Sequence, residues 1–566
     1  MSKLIVPPNI IGTDKADLIQ GIDENVNYQS DIGFIGIQVL TNGIIDTRSG
    51  DDTINGEGRG SYSSKGTGIS NSGTIKTGLG NDTITGTGEG ESSVPLGGTG
   101  IFNSGSIETG LGKDTIIGKG QAVASPSGIG IFNSGTINTG LENDTIIGEA
   151  QGSISSETGI YNSGTIKTDS GNDTITGTGN GGSAPIPGYI YPGTGIFNTT
   201  TGIISAGGGN DTITGTGDGG SYSDDGKGIG ISNQGKISGD AGNDNIKGIG
   251  IGGYYAGDGI GILSSGSISG GTGNDTITGT GTGDTTIKGG AGGDGFGISN
   301  TGKINGDAGK DSIIGTGTGA KGSFAFTNGP GNGGKGIGIS NTGSISGGTE
   351  DDSITGIGRG GAAGTGDGGG GDRGLGGDAI GIANSSNIDG GNGNDVIKGI
   401  GIGGKGNSNS NGRGVGISNT APGRINAGNG KDQILGYGTS VGLEGNGVNI
   451  VGIDGGTGDD LFKARKISGL NAQGNPIESA NQDGAVANIF ISGANGNDIF
   501  DLGFGTAKLS GDQGYDTLLL PVLGSGSYTI GTPDVNGFFQ IKNTASTNVL
   551  TVSGIEHILS GGTTLV

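Results

Sequence analysis

The chain of 566 residues has no cysteine, no tryptophan, one histidine and only 4% aromatic residues. Without cysteine there is no disulfide framework, no thiolate zinc centre and no cysteine nucleophile. With His557 as the sole histidine, a Ser-His-Asp system would have one candidate base, close to the C-terminal end, and we read the chain as carrying no catalytic site. So few large side chains cannot fill the three or four conventional cores that this length suggests. Positive charge is scarce as well: 29 basic against 53 acidic residues give a net charge of −24. Nucleic acid, whose phosphates need a basic face, is therefore excluded as an expected partner, and cations are favoured. No apolar run reaches the length of a signal peptide or a membrane span, so any export is expected to use another signal.

What the chain has is glycine, 144 of them, and a repeat. The Asp of a Gly-x-Gly-x-Asp-x-Ile pattern returns about every 30 to 40 residues, at Asp52, Asp82, Asp114, Asp144, Asp173, Asp211, Asp244, Asp275, Asp311, Asp352, Asp395 and Asp432. A second landmark, Ile-x-Asn-Ser-Gly and its variants, places Asn71, Asn103, Asn133, Asn162, Asn233, Asn300, Asn341 and Asn384 eleven residues before a motif Asp. Thr41 and Ser264 hold the same place, while Asn198 and Asn419 stand thirteen residues ahead. From each Asp to the next Asn position the distance varies between eighteen and thirty-two residues, so a rigid half alternates with an elastic half.

In the type unit, residues 66–88, Ile69, Ile75 and Ile84 each lie in a short run with small or polar neighbours. That period of two predicts three short strands per unit with one side chain inward, and Gly73 and 78–81 supply the corners. Glycine at one residue in four, with β-branched Ile, Thr and Val, opposes helices. The expected fold is all-β: a right-handed parallel β-helix, or β-solenoid, of about twelve coils, with the corner Asn stacked as an inward ladder. Insertions at 184–192, at Tyr254-Tyr255 and at 358–376 leave at one phase of the coil and are expected on one face, as a binding surface or as solvated loops.

At 270–277 and 390–397 the Gly-Gly-x-Gly-x-Asp nonapeptide is complete. It resembles the hemolysin-type (RTX) calcium-binding repeat of secreted bacterial proteins over most of the chain. The resemblance implies Ca²⁺ at many turns, with the motif Asp residues, together with Asp460, Asp498 and Asp516 farther on, as carboxylate ligands beside turn carbonyls. One motif per coil, rather than a tandem, implies one column of ions. Thr77 and Thr109 at the first glycine, and Glu142 two before Asp144, depart from the pattern and imply weak or empty sites.

The expected organisation is an N-terminal cap and degenerate first repeat at 1–40, repeats at 41–440 and a β-roll-like cap at 441–566, where Phe462, Phe500 and Phe504 enrich the core. The tail 552–559 resembles the uncleaved signal of type I secretion substrates, implying an extracellular location. In composition and repeat type the chain is also similar to oscillin-like calcium-binding surface fibril proteins of gliding cyanobacteria. The expected function is a structural protein that folds on calcium outside the cell and associates with itself in a surface fibre, sheath or layer. The alternative is an adhesin or carbohydrate-binding solenoid that binds surface polysaccharide; a calcium-dependent enzyme is disfavoured, because no separate catalytic domain is visible in the sequence. An ice-binding face built on the Thr-Ile-Thr segments is disfavoured, because Thr-Ile-Ile and Asn-Ile-Lys interrupt them. The nucleophile-elbow match at 438–442 has no strand-to-helix context and is expected to be a loop, and the Asn-x-Thr matches such as 81–83 read as parts of the turn.

Overall fold

A computed structural model describes residues 3–24, 33–60, 64–90, 97–122, 127–152, 156–182, 192–220, 226–285, 290–324, 330–365, 374–522 and 527–565. They form a parallel β-solenoid without α-helix; a short 3-10 turn at Asn407–Asn409 is the sole helical element described. The chain comprises two compact units, Met1–Ile287 and Lys288–Val566.

The period-two pattern builds the coil as expected. In the type coil the strands are Gly66–Asn71, Thr74–Leu79 and Thr83–Gly90, and each pairs in parallel, in register, with its equivalent one coil on. Ile69, Ile75 and Ile84 are fully buried, as are their counterparts Ile101, Ile107 and Ile116. Three isoleucine columns thus form a thin continuous core. The described strands of the first unit fall into nine such coils and those of the second begin with five. The total exceeds the twelve motif repeats because Leu4–Val6, Ile10–Ile11 and Leu18–Glu24 already make a coil paired with the next, and Val441–Gly445, Ile453–Thr457 and Leu461–Leu470 make another.

Beyond these, the first two strands of a coil fuse into one, as in Asp483–Ser492, which pairs with both strands of the coil before it. The Asn corner disappears and the coil shortens. Phe462 stacks on Phe500 with ring centroids 5.0 Å apart, taking the isoleucine column over. The C-terminal end of the second unit is closed by antiparallel strands: Phe539–Asn543 against Val549–Ser553, and Thr563–Thr564 against His557–Ser560.

Glycine does more than turn corners. Gly86 and Gly88 of the third strand point inward, and a Cβ on either would collide with the carbonyl oxygen of Gly100 or Thr99 in the next coil. On one side of the coil, then, the two sheets touch backbone to backbone with no room for a side chain. In the second unit the glycine insertions extend this packing. Gly404 N donates to Gly377 O, Gly377 N to Gly361 O, Gly361 N to Gly334 O and Gly334 N to Ala320 O, each at 2.8 Å. The described parts of 319–335, 360–378 and 403–413 form a hydrogen-bonded bundle of extended segments rather than solvated loops. Most of the 184–192 insertion and the middle of 358–376 lie outside the described residues.

Candidate functional site

The motif turn has one backbone solution throughout. Positions four and two before the Asp are left-handed: Gly78 (φ 98°) and Gly80 (φ 130°) before Asp82, Gly391 (φ 115°) and Gly393 (φ 130°) before Asp395. Glycine suits both positions, and where another residue stands it accepts the strain, as Glu142 does (φ 83°). The first motif glycine, five before the Asp, is not among the left-handed residues, so Thr77 and Thr109 there meet no backbone penalty. Both are fully buried. Neither departure breaks the turn.

Every sequence-predicted Asp from Asp52 to Asp516 lies inside this turn, at most 4% exposed. Within the first unit each carboxylate accepts the backbone N–H of the Asp one coil earlier: Asp52 N to Asp82 Oδ1 at 2.8 Å, Asp82 N to Asp114 at 2.8 Å, Asp114 N to Asp144 at 2.8 Å, and onward to Asp244 N to Asp275 at 2.7 Å. In the second unit the series runs from Asp311 N to Asp352 at 2.7 Å, through Asp395 N to Asp432 at 2.7 Å, to Asp498 N to Asp516 at 2.8 Å. The two end rungs were missed from sequence. Asp17 N donates to Asp52 Oδ1 at 2.7 Å, and Asp516 N donates to Glu556 Oε2 at 2.8 Å. Asp17 could have been found in the degenerate 12–19 repeat, and Glu556 in Gly554-Ile555-Glu556-His557-Ile558, which keeps the Gly-x-Asp-x-Ile spacing with Glu in place of Asp.

A second, outer ladder was also missed. Where the residue before the motif Asp is Asn or Asp, it accepts from the coil after it: Asn210 N donates to Asn172 Oδ1 at 2.7 Å, Asn243 N to Asn210 Oδ1 at 2.8 Å, and Asn394 N to Asp351 Oδ1 at 2.9 Å; Lys113, Lys310 and Lys431 in that place have no acceptor and interrupt it. Adjacent side chains of one turn therefore tie it to the coils on both sides. The Asn-x-Thr matches are accounted for by this ladder.

The inner carboxylates are left incomplete. Oδ2 of Asp52, Asp82, Asp114, Asp144, Asp173, Asp211 and Asp244 is buried without a hydrogen-bond donor, and so is Oδ2 of Asp352, Asp395, Asp432, Asp460, Asp498 and Asp516. A buried charge without a partner is costly, and the titration follows. Burial first, then in most rungs the neighbouring Asp charges, outweigh the backbone hydrogen bond and, at Asp82 and Asp144, the lowering by the adjacent Thr77 and Thr139 hydroxyls, and raise the Asp82 pKa to about 6, Asp144, Asp211 and Asp352 to about 7, and Asp460 to about 8. At neutral pH the column calls for protons or for cations.

The donor set fits a hard divalent ion. The free atoms are carboxylate oxygens, and equivalent atoms repeat at the strand spacing of about 4.8 Å, close to twice a Ca–O bond of roughly 2.4 Å and wide for two Mg–O bonds of about 2.0–2.1 Å. Among the described residues no three acidic or histidine side chains converge, so one rung offers one carboxylate and an ion would take its other ligands from neighbouring rungs, backbone or water.

The Asn column is structural. Asn103 Nδ2 donates to Asn133 Oδ1 at 2.8 Å and to Thr136 O at 2.9 Å, and Asn133 Nδ2 to Asn162 Oδ1 at 2.9 Å; these Asn residues are fully buried. In the second unit Asn300, Asn341, Asn384 and Asn419 repeat the pattern. Ser440 of the elbow-like match sits in a two-residue link between strands, and its Oγ accepts Gly414 N at 3.2 Å. The Thr-Ile-Thr face is interrupted as expected: Thr85 and Thr176 lie beside Ile117 and Ile147, and Thr214 and Thr278 flank Lys247. No protein-family model matches the chain, and no curated protein does.

Proposed function

We propose that this chain is an extracellular, calcium-stabilised structural protein that associates with copies of itself at a cell surface. The observation that carries the reading is the column of buried carboxylate oxygens without donors, repeated rung after rung in both units. Calcium bound there would supply the positive charge that the column lacks, and its binding free energy would add to folding. Asp52 to Asp244 in the first unit and Asp352 to Asp516 in the second would hold it, each through Oδ2, while Oδ1 keeps the coil-to-coil hydrogen bond. The excess of 53 acidic over 29 basic residues agrees with this. The tail 552–559 supports export by a type I route only through its resemblance.

Because antiparallel strands close the C-terminal end of the second unit, strand addition at that edge is obstructed, and the reading favours contact along the sides. Leu79, Leu111 and Leu141 form one exposed column, 45 to 51% accessible, and Phe102, Phe132 and Tyr161 stack on the outer sheet face at 5.0 and 4.7 Å. The test is far-UV circular dichroism and electron microscopy of the full chain in millimolar calcium and in chelator. Calcium-dependent β-structure with ordered assemblies is expected; identical spectra and melting in both conditions would remove the calcium role, and separate particles in calcium would remove self-assembly.

A further inference from the structure

The second unit carries a groove that neither the core nor the Asp column needs. It has a volume of about 580 Å³ and is lined by Ser346, Asp389, Asn426 and Asp454 on one side and Asn392, Asn429, Thr457 and Asn495 on the other, with Gly348, Gly391, Gly428 and Gly456 as its floor. The floor is flat for a local reason: these glycines are left-handed, with φ of 97° to 127°, so the turn itself keeps side chains off it.

The walls are ordered by hydrogen bonds between coils. Asn429 Nδ2 donates to Asn392 Oδ1 at 2.7 Å, Thr457 Oγ1 to Asn429 Oδ1 at 2.7 Å and Asn426 Nδ2 to Asp389 Oδ1 at 2.9 Å. An amide has two N–H groups, so Asn429 and Asn426 each retain hydrogen-bonding capacity beyond these bonds. This polarity is a local choice of sequence. The same column in the first unit contains Leu79, Leu111 and Leu141, so the fold accepts apolar residues where the second unit places Asn392, Asn429 and Thr457.

We infer that this groove binds an extended, uncharged polysaccharide strand lying along the stack of coils. Amides, hydroxyls and carboxylates at a regular rise offer alternating donors and acceptors to sugar hydroxyls. A protein partner would need apolar or aromatic anchors, and no aromatic side chain lines the groove. A polyanion is disfavoured by Asp389 and by the net charge of −24, Asp454 being paired with Arg424. The inference rests on the solenoid fold and not on the calcium reading. It also moves the expected polysaccharide contact from the insertions to the side next to the motif turns.

The experiment is isothermal titration of the full chain, held in calcium, with cellohexaose and chitohexaose, alongside pull-down on insoluble cellulose and chitin. The variants are Asn392→Leu with Asn429→Leu, which install the residue that the first unit carries there, and separately Asp389→Ser, which installs the residue at Ser346. Binding of at least one glycan by the parent, weakened tenfold or more in both variants with melting temperature unchanged, is the expected result. Binding to none of the four, or equal binding by parent and variants, would overturn the inference.

Discussion

Substituting Asp144 separates the two jobs assigned to one carboxylate. Oδ1 accepts Asp114 N at 2.8 Å, while Oδ2 is buried without a donor. Asp144→Asn keeps the acceptor and removes the charge; Asp144→Ala removes both. With its pKa raised from 3.8 to about 7 by burial and by Asp114 and Asp173, the ionised carboxylate at pH 8 carries a penalty of at most about 4 kcal/mol, at roughly 1.4 kcal/mol per unit. Solvent close to the turn screens part of it, leaving about 1–2 kcal/mol. In chelator at pH 8, Asp144→Asn should therefore be more stable than the parent by about 1–2 kcal/mol. Asp144→Ala strands the Asp114 N–H and should lie about 1–3 kcal/mol below the Asn variant. In calcium the parent should overtake both, because an ion at one hundred times its dissociation constant contributes about 2.7 kcal/mol and the variants lack the ligand. Urea unfolding followed by far-UV circular dichroism, in chelator and in millimolar calcium, reads all of these. Equal stability of Asn and Ala variants in chelator would refute the coil-to-coil hydrogen bond, and an undiminished response of the Asn variant to calcium would refute the ligand role.

The pH dependence in chelator has a definite sign. Asp82, Asp144, Asp211 and Asp352 have folded pKa values raised to about 6 or 7 from 3.8, so the folded state binds more protons than the unfolded state between about pH 4 and 7, and unfolding midpoints should fall as pH rises through that window; a midpoint flat or rising there would contradict the burial of these groups. Asn133→Ala deletes a donor to Asn162 Oδ1 and the acceptor for Asn103 and should cost about 2–4 kcal/mol in urea unfolding, whereas a loss under 1 kcal/mol would make the ladder incidental. Gly118→Ala should destabilise by more than about 3 kcal/mol, because its Cβ would meet the Gly130 carbonyl oxygen. Gly208→Ala, with nothing nearer than 3.8 Å to its Cβ, should be within about 0.5 kcal/mol of the parent; matched melting temperatures for these two variants would refute the backbone-to-backbone contact.

The fixed eleven-residue spacing from Asn71 to Asp82 made both polar columns visible as a period, and isoleucine at every second position of short runs made the strands visible. Fixed spacing reports what must superpose from coil to coil. It does not report direction, so the outer ladder through Asn172 and Asn210, which accepts from the opposite neighbour, could not be told from a plain turn residue. The inward facing of Gly86 and Gly88 had no sequence signal, because an inward glycine has no side chain to declare it. The bundle built from the described parts of 319–335, 360–378 and 403–413 was hidden for a related reason: its hydrogen bonds link backbone segments of unequal length that share no motif. Glu556 closes the Asp column with a longer side chain, after a left-handed Gly554 two residues before it but without the rest of the glycine turn.

The opposed ladders explain why a chain with so few large side chains can hold its turns before any ion arrives. At Asp211 the preceding Asn210 accepts Asn243 N from the coil ahead, and Asp211 itself accepts Asp173 N from the coil behind. A turn of this kind is thus restrained on both sides by charge-assisted or amide hydrogen bonds of about 1–2 kcal/mol. The restraint aligns the Oδ2 atoms and concentrates negative charge, so the order that the ladders impose creates the electrostatic debt that a cation relieves. Removing the carboxylate at one rung releases the N–H of the coil behind it, and ordering of neighbouring rungs is coupled as in other nearest-neighbour repeat arrays. Under the proposed calcium role, affinity at one rung would then depend on whether its neighbours are formed, and the calcium response of a column would be steeper than that of any isolated turn.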